Sequence, residues 1–193
     1  MKAKILLAGI GGQGVLFAHR ALAACAVTQG LCVTGAETHG MSQRGGSVVS
    51  HLKIGEASAP LIRRGTADFL LAFDTVEAYR SLPFLRHNGV AAVNTGHASF
   101  PDERVRPYID AMGISVRGLN AEAIARELQA PFILNVVLLG FASTCDSFPF
   151  PRDSPREAIA RVSPRDLVTL NLKAYDEGFT AGIRKSDTAD RNR

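Results

Sequence analysis

The chain has 193 residues, of which 46% are hydrophobic and 21% are charged. This length and composition are typical of one globular domain with a full hydrophobic core, and the chain is too short for two ordinary domains joined by a linker. The formal net charge of +4 comes from basic residues dispersed along the chain, a distribution that argues against a nucleic-acid-binding protein.

The first predicted element is a short apolar strand that breaks into clustered glycines and then continues with helical periodicity. Gly9, Gly11 and Gly14 have the G-x-G-x-x-G spacing of a strand–turn–helix unit. The first N–H groups of such a helix lack acceptors and, with the helix dipole, favour an anion such as phosphate. Tight turns also select glycine, so the turn alone leaves a purely structural interpretation open.

The next segments predict a helix, a strand and an antiparallel insertion. The helix is predicted over 15–29, with Gly30 suited to its carboxyl-terminal cap. A second strand is predicted over 31–36. Alternating apolar residues then predict an antiparallel ribbon, which is formed by 47–54, a reversal at 55–56 and a return over 57–62.

Buried strands and helices alternate through the rest of the chain, which predicts βαβ units and a mostly parallel sheet. Strands are predicted over 69–73, 90–93 and 114–116. Helices are predicted over 76–85, 121–128 and 135–145. The segment 99–107 lacks periodicity and is interpreted as a loop or an irregular strand.

Two Ser-Pro-Arg-acid tetrapeptides, at 154–157 and 163–166, have the serine cap, the first-turn proline and the acid that are typical of a helix start. The second predicts a long helix through about Ile183. We therefore predict one Rossmann-like α/β domain over 1–183, with helices on both faces of the sheet and the antiparallel ribbon inserted. The charged segment 184–193 is predicted to be a disordered tail.

The cysteines and the hydropathy of the chain argue against several other classes of protein. The three cysteines have no C-x-x-C spacing, and so predict neither a disulfide framework nor a metal site. No apolar run is long enough to cross a bilayer, and the amino terminus enters a strand without a signal peptide. We expect a cytoplasmic protein with no membrane partner.

A polar loop over 37–47 gives a second indication of anion binding. The consecutive Gly45 and Gly46 can turn their N–H groups inward, and Arg44 adds a forked cation for phosphate or carboxylate. His39 can donate a proton, or a hydrogen bond to a carbonyl. A solvated histidine and an ordinary turn are the alternative interpretations.

The carboxyl ends of parallel strands meet at one edge of a sheet, where ligands bind in α/β folds. The glycine turn, the 37–47 loop and the strand ends at Asp74 and Asn94 all fall at that edge. We expect them to line one crevice.

The glycine turn at 9–14, followed by the segment 37–47, resembles the gamma-type subunit of 2-oxoacid:ferredoxin oxidoreductases. Within that family it looks most like the small (beta) subunits of indolepyruvate oxidoreductases. The likeness continues through 135–140 and 171–179, so that it covers nearly the whole chain up to the tail.

The resemblance implies a subunit of a larger enzyme that oxidatively decarboxylates a 2-oxoacid, forms an acyl-CoA and passes electrons to ferredoxin or another acceptor. Aryl 2-oxoacids such as indolepyruvate and phenylglyoxylate fit it. The family uses thiamine diphosphate and iron–sulfur clusters, whereas this chain has neither a Gly-Asp-Gly thiamine motif nor a cysteine array. We therefore expect larger partner subunits to carry those cofactors, CoA to act as co-substrate, and the chain to be inactive alone.

On this resemblance, His39 and Arg44 are expected to support catalysis in a shared active site. The residues expected to bind the anionic groups of CoA or substrate are Gly9, Gly11, Gly12, Gln13, Gly14, Gln43, Gly45 and Gly46. We expect no metal ligand in this chain.

Two other functions stay open. A nicotinamide- or flavin-binding Rossmann module would use the glycine turn for a pyrophosphate and Glu37 for a ribose hydroxyl. A non-catalytic assembly subunit would use the same loops only to complete an interface. The apolar helix over 135–145 is a candidate contact with a partner, and it also fits an intramolecular core.

Overall fold

The fold is described from a computed structural model, which covers residues 1–40, 45–55, 59–96 and 100–191, the last six by their backbone alone. Six strands form the sheet in this part of the chain: β1 Ala3–Ile10, β2 Val33–His39, β3 Ser47–Ile54, β4 Ala67–Ala72, β5 Leu85–Asn94 and β6 Ser115–Leu119. Their order is β2-β3-β1-β4-β5-β6. Strands β1, β4, β5 and β6 run parallel, and β3 runs antiparallel to both β1 and β2.

Seven α-helices connect and cover these strands in the described ranges: α1 Val15–Thr28, α2 Thr75–Ser81, α3 Arg106–Ala111, α4 Ala121–Glu127, α5 Leu134–Ala142, α6 Asp153–Val162 and α7 Val168–Arg191. Short 3₁₀ turns at 82–84, 131–133 and 165–167 join some of them. None of the described helices is both long and apolar enough to cross a membrane.

Both faces of the central strands are buried. Ile5 and Leu7 of β1 belong to the larger core, which includes residues from α1, α4, α5, α6 and α7. Leu6 and Ala8 point the other way into a smaller core that includes residues from α2 and α3. Because side chains alternate along a strand, a continuous apolar run such as that of β1 needs helices on both faces. The predicted α/β class, with a mostly parallel sheet, is confirmed.

Helices α5 and α7 pack backbone against backbone. A Cβ atom at Gly140 would collide with the carbonyl of Tyr175, and one at Gly178 would collide with the carbonyl of Val137. Every residue of α5 from Asn135 to Ala142 is buried. The structure therefore bears out the interpretation of this helix as intramolecular core.

The antiparallel insertion is present, but its pairing differs from the prediction. Strand β3 pairs with β2 and β1, and 59–62 form no strand, while 56–58 lie outside the described residues. The second strand runs over Val33–His39 rather than 31–36, because its ladder with β3 extends to the pair His39 and Val48. Pairing across the sheet overrides the local polarity that had suggested a loop from Glu37 onwards.

Three further predictions differ from the structure. The segment 99–107 was predicted to be irregular, but α3 begins at Arg106. Ser154 lies inside α6 instead of capping it, and Ser163 ends that helix, where its hydroxyl accepts a hydrogen bond from the side chain of Asn171. Helix α7 therefore begins only at Val168, and it continues to Arg191. The division into a 1–183 domain and a tail over 184–193 stays a prediction.

Candidate functional site

The turn between β1 and α1 is closed by the side chain of Gln13. Its Oε1 accepts a hydrogen bond of 2.8 Å from the N–H of Ile10, and its own N–H donates to the Ile10 carbonyl at 3.0 Å. Gly14 then takes a left-handed conformation, with φ of 78°, from which α1 begins. Gln13, predicted to bind a ligand, thus has a clear structural role in holding the turn.

The glycines of this turn serve two different purposes. A Cβ at Gly9 would lie 2.9 Å from the side chains of Gln13 and Val15, and one at Gly14 would collide with the side chain of Asn135. These two glycines therefore allow close packing. At Gly12, φ is 100° and a Cβ atom would have no described atom within 4 Å, while one at Gly11 would have only backbone neighbours, at 3.7 Å. The open space at the turn lies at Gly11 and Gly12.

The second predicted loop lies directly against this turn. The N–H of Gly11 donates a hydrogen bond of 2.9 Å to the carbonyl of Gly46, and the N–H of Gly40 donates one of 2.7 Å to the carbonyl of Ser47. Gly45 has φ of 74°, as its role in a tight turn requires. The glycine turn and the Gly45–Gly46 corner are thus brought together, as the sequence predicts.

The start of β3 is anchored to the other face of the sheet. The hydroxyl of Ser47 donates a 2.6 Å hydrogen bond to Oε2 of Glu77, a buried carboxylate in α2. Oε1 of the same carboxylate accepts a charge-assisted hydrogen bond of 2.5 Å from Arg80. A buried carboxylate with both oxygens paired is a strong local restraint, so the Gly45–Gly46 corner is fixed on its carboxyl-terminal side.

A cavity of about 370 Å³ opens beside the two loops. It is lined by the glycine turn, the first turn of α1, and the side chains of Arg20, His39 and Val48. The first N–H groups of α1 have no intrahelical acceptors, and no described side chain caps them. The helix dipole, the free N–H groups and Arg20 together favour an anion at this position.

His39 stands at the end of β2, with its side chain 54% exposed and Nε2 3.5 Å from Oε2 of Glu37. Behind it, Nδ1 of His19 lies 2.6 Å from the hydroxyl of Ser50. Burial lowers the pKa of His19, and the negative charge of Glu37 opposes this effect. Glu37 therefore acts on two histidines, of which His39 lines the cavity.

The other predicted site residues divide into two groups. Gln43 and Arg44 lie outside the described residues, so their roles stay predictions. Asp74 and Asn94 were expected in the crevice, but neither is among the residues that line the cavity. Asp74 caps α2 by accepting hydrogen bonds from the N–H groups of Val76 and Glu77, at 2.8 and 3.0 Å. Asn94 accepts from Ala121 N–H and donates to the Phe73 carbonyl, which ties β5 to its neighbours.

Sequence reasoning missed Arg20, Phe17 and Asn135. Arg20 and Phe17 are three residues apart on α1 and so share one face of the helix, a signal that the helical pattern carries. Asn135 donates a hydrogen bond of 3.2 Å to the carbonyl of Gly14 across 121 residues of sequence. No local pattern predicts that contact.

Within the described ranges, His, Cys, Asp and Glu form no group of three that could hold a metal ion. Burial raises the pKa of Cys25 to about 12 and that of Cys145 to about 11, so both thiols stay protonated and unreactive at neutral pH. Cys32 is exposed.

The model of the pyruvate ferredoxin/flavodoxin oxidoreductase family matches residues 4–181. The chain belongs to this family. It is 36% identical, over 95% of its length and 96% of the relative, to indolepyruvate oxidoreductase subunit IorB of Archaeoglobus fulgidus. It is 33% identical to the subunit of the same name from Methanothermobacter thermautotrophicus, over 94% of this chain and 98% of the relative. The chain is therefore a small subunit of the 2-oxoacid:ferredoxin oxidoreductase type.

Solved structures show the same fold. The gamma subunit of a keto/oxoacid ferredoxin oxidoreductase from Geobacter sulfurreducens superposes with a TM-score of 0.72 at 22% identity, over 94% of this chain and 99% of that one. A 2-oxoglutarate:ferredoxin oxidoreductase from Magnetococcus marinus, solved with 2-oxoglutarate, coenzyme A and succinyl-CoA bound, also gives 0.72 at 19% identity. The superposition with the second protein includes 95% of this chain and 31% of that protein's chain. The fold of this family member thus also occurs as one part of a longer polypeptide.

The sheet order of this family member differs from that of a dinucleotide-binding Rossmann domain. There the second strand lies next to the first, so that its terminal acid reaches the ribose of a nucleotide on the glycine turn. Here β3 lies between β1 and β2. Glu37 is therefore two strand spacings, or roughly 10 Å, from β1, and its carboxylate interacts with His39. This geometry argues against the nicotinamide or flavin alternative.

Proposed function

We propose that this small subunit helps to form the active site of a thiamine-diphosphate-dependent 2-oxoacid oxidoreductase. Larger subunits carry the thiamine diphosphate and the iron–sulfur clusters, and ferredoxin or another acceptor takes the electrons. The cavity at the glycine turn faces those subunits and receives an anionic group of CoA or of the oxoacid. An aryl oxoacid such as indolepyruvate is the proposed substrate, by likeness to the named relatives, and the cytoplasm is the proposed location.

The observation that carries this proposal is the direct contact of the two glycine loops. Because the N–H of Gly11 bonds to the carbonyl of Gly46, the predicted anion-binding segments share one rim of the sheet. That rim is at the carboxyl ends of the parallel strands β1 and β4, where α/β folds bind ligands.

The residues around the cavity have separate roles in this proposal. The first N–H groups of α1 and the guanidinium of Arg20 bind the anion. His39 donates a hydrogen bond to a carbonyl or phosphate oxygen, while the nearby Glu37 carboxylate orients its ring. Arg44, five residues beyond the end of β2 in the sequence, is proposed to supply a second cation from the same loop. The chain orients and neutralises charge, and the reaction itself occurs at groups that the partner holds.

Kinetics of the enzyme reconstituted from this chain and its larger subunit test the proposal. For Arg44→Ala and for His39→Gln, we expect KM for CoA or for the oxoacid to rise about tenfold, because each variant loses one charge-assisted contact. Size-exclusion chromatography should show that the complex stays intact. Arg126→Ala, a change at an exposed arginine of α4, is the matched control and should leave KM unchanged.

Two outcomes would contradict this role. Unchanged KM and kcat in both variants would remove the loop from substrate binding. Loss of the complex, with normal KM in the fraction that stays assembled, would instead assign the loop to the non-catalytic assembly function.

A further inference from the structure

A second cavity, of about 270 Å³, shares Phe17 and Arg20 with the first as lining residues. It is bounded by α1, the 131–133 turn, the start of α5, and the junction of α6 with α7. These segments lie up to 154 residues apart in sequence, between Phe17 and Asn171, and meet only in the folded chain. We call it the α1–α7 cavity.

The walls of the α1–α7 cavity are mainly apolar. Aromatic and aliphatic side chains line it, among them Phe17, Phe132, Ile133, Val162 and Leu167. Phe132 is 59% exposed, one of the most exposed large apolar side chains in the described chain. A phenyl ring held open at the edge of a cavity offers a flat surface on which another ring can stack.

The two asparagines that line the cavity already have hydrogen-bond partners. The side-chain amide of Asn171 donates a 2.9 Å hydrogen bond to the hydroxyl of Ser163, and that of Asn135 donates to the Gly14 carbonyl. Arg20 is different. Its guanidinium has no hydrogen bond or ion pair within the part of the chain that the structure describes, and it is the one formally charged side chain along the cavity.

An apolar cavity with aromatic walls and one unpaired guanidinium at its edge is complementary to a small molecule with one ring and one negative charge. A nucleotide does not fit this chemistry, because its two or more phosphate charges would meet a single cation. A neutral aromatic molecule would make no use of the positive charge of Arg20, whose side chain is exposed at the edge of the cavity.

We propose that the α1–α7 cavity binds a small aryl monocarboxylate, whose ring packs against Phe17 and Phe132 and whose carboxylate pairs with Arg20. The site differs from the proposed CoA or oxoacid site, but the two have Phe17 and Arg20 in common. An aryl acid bound here therefore draws the guanidinium away from an anion at the glycine turn, so that the two ligands compete.

The test uses the full-length chain, labelled with ¹⁵N and titrated with phenylacetate and indole-3-acetate as unreactive probes. We expect saturable shifts of amide signals in 17–20, 132–136 and 162–171. Arg20→Gln should weaken binding about tenfold, the loss of one charge-assisted pair, whereas Arg126→Gln should not change it. The neutral probe 2-phenylethanol should bind at least about tenfold more weakly than phenylacetate for the same reason.

A space-filling variant distinguishes this site from the first one. Val162→Phe adds a ring inside the α1–α7 cavity and touches nothing at the glycine turn, so it should abolish aryl acid binding while the amide spectrum keeps its native dispersion. Leu167→Phe is the second variant should the first not fold. Failure of the Arg44 and His39 kinetics would leave this result unaffected.

Three results of the titration would overturn the proposal. These are the absence of saturable shifts, binding that Arg20→Gln does not weaken, and shifts confined to the glycine turn. Loss of the enzyme complex in Phe132→Ala with unchanged aryl acid binding would also overturn it, since the cavity would then belong to a partner polypeptide.

Discussion

The glycine turn after β1 and the α5–α7 helix pair both depend on glycine, but for opposite reasons. At Gly140 and Gly178 the absent Cβ is replaced by the backbone of the facing helix, so that no space is left. At Gly11 and Gly12 the space where a Cβ would lie is next to a cavity, and at Gly11 it also borders the backbone of Gly45 and Gly46. Glycine therefore maximises packing in one region and leaves backbone accessible in the other.

The difference shows that a glycine motif is not one functional unit. Within the same turn, Gly9 and Gly14 resemble the helix pair in their tight packing, while Gly11 and Gly12 are open. Substitutions at these positions should therefore separate loss of stability from loss of binding.

The largest loss of stability is expected for Gly178→Ala. The new methyl group would meet the carbonyl of Val137, which is held in α5 and cannot rotate away. We expect the free energy of unfolding to fall by about 3 kcal/mol, at the upper end for overpacking, as measured by urea denaturation. A loss below about 0.5 kcal/mol would show that the two helices can separate, contrary to their close backbone packing.

A smaller loss is expected for Gly14→Ala. The left-handed φ of 78° and the collision with Asn135 together should cost about 2 kcal/mol. The double variant with Asn135→Ala relieves the collision but keeps the backbone strain, so the two changes should cost less together than the sum of their separate effects. Strict additivity in a double-mutant cycle would contradict the contact between Gly14 and Asn135.

Acid should destabilise the β2–β3 side of the molecule more than the helix pair. Burial lowers the pKa of both His19 and His51 below the ordinary 6.5, with Glu37 opposing the shift at His19 and Lys53 adding to it at His51. As the pH is lowered through 6.5, the unfolded chain therefore binds more protons at these two histidines than the folded chain does. The stability that depends on the neutral histidines is fully present above pH 6.5 and falls as the pH is lowered through that value. Nδ1 of His51 accepts a hydrogen bond from the N–H of Ile62, which protonation there would break.

We expect a loss of about 1 kcal/mol between pH 7 and pH 5, measured as the fall in unfolding free energy. The variant His19→Gln with His51→Gln should flatten this dependence, while His87→Gln, at an exposed histidine, should not. An unchanged slope in the double variant would show that other groups cause the acid sensitivity.

The smallest effect on stability is expected for Gly11→Ala. Its new methyl group would lie at ordinary contact distance from Gly45 and Gly46, so the unfolding free energy should change by less than about 0.5 kcal/mol. The same methyl group narrows the cavity, and KM for CoA or oxoacid in the reconstituted enzyme should rise. A normal KM together with a stable fold would mean that the open space at this turn has no ligand.

Much of the fold could be predicted from the sequence because many of its turns and strands depend on residues that are close together in the chain. The signals that predict them extend over only a few residues each. They are the spacing of Gly9, Gly11 and Gly14, the apolar runs of β1 and β4, and Gly30, which has a φ of 71° after α1. The end of β2 was missed because its residues are polar, and only the ladder with β3 holds them extended.

The site was predicted only in part, for a related physical reason. The contact of Gly11 with Gly46 followed from the rule that strand ends share one edge. Arg20, Asn135 and Phe132 come together only through the packing of α1 against α5 and the α6–α7 junction, and sequence spacing carries no trace of that arrangement.

Hydrogen exchange of the reconstituted enzyme, with and without saturating CoA and oxoacid, tests whether the glycine turn and the Gly45–Gly46 corner bind one of these ligands. We expect one of these ligands to increase protection in peptides covering 9–17 and 45–48, while peptides covering 134–142 and 172–180 stay unchanged. An enzyme that turns over both ligands while the amides of 9–17 and 45–48 exchange at the same rate throughout would contradict it.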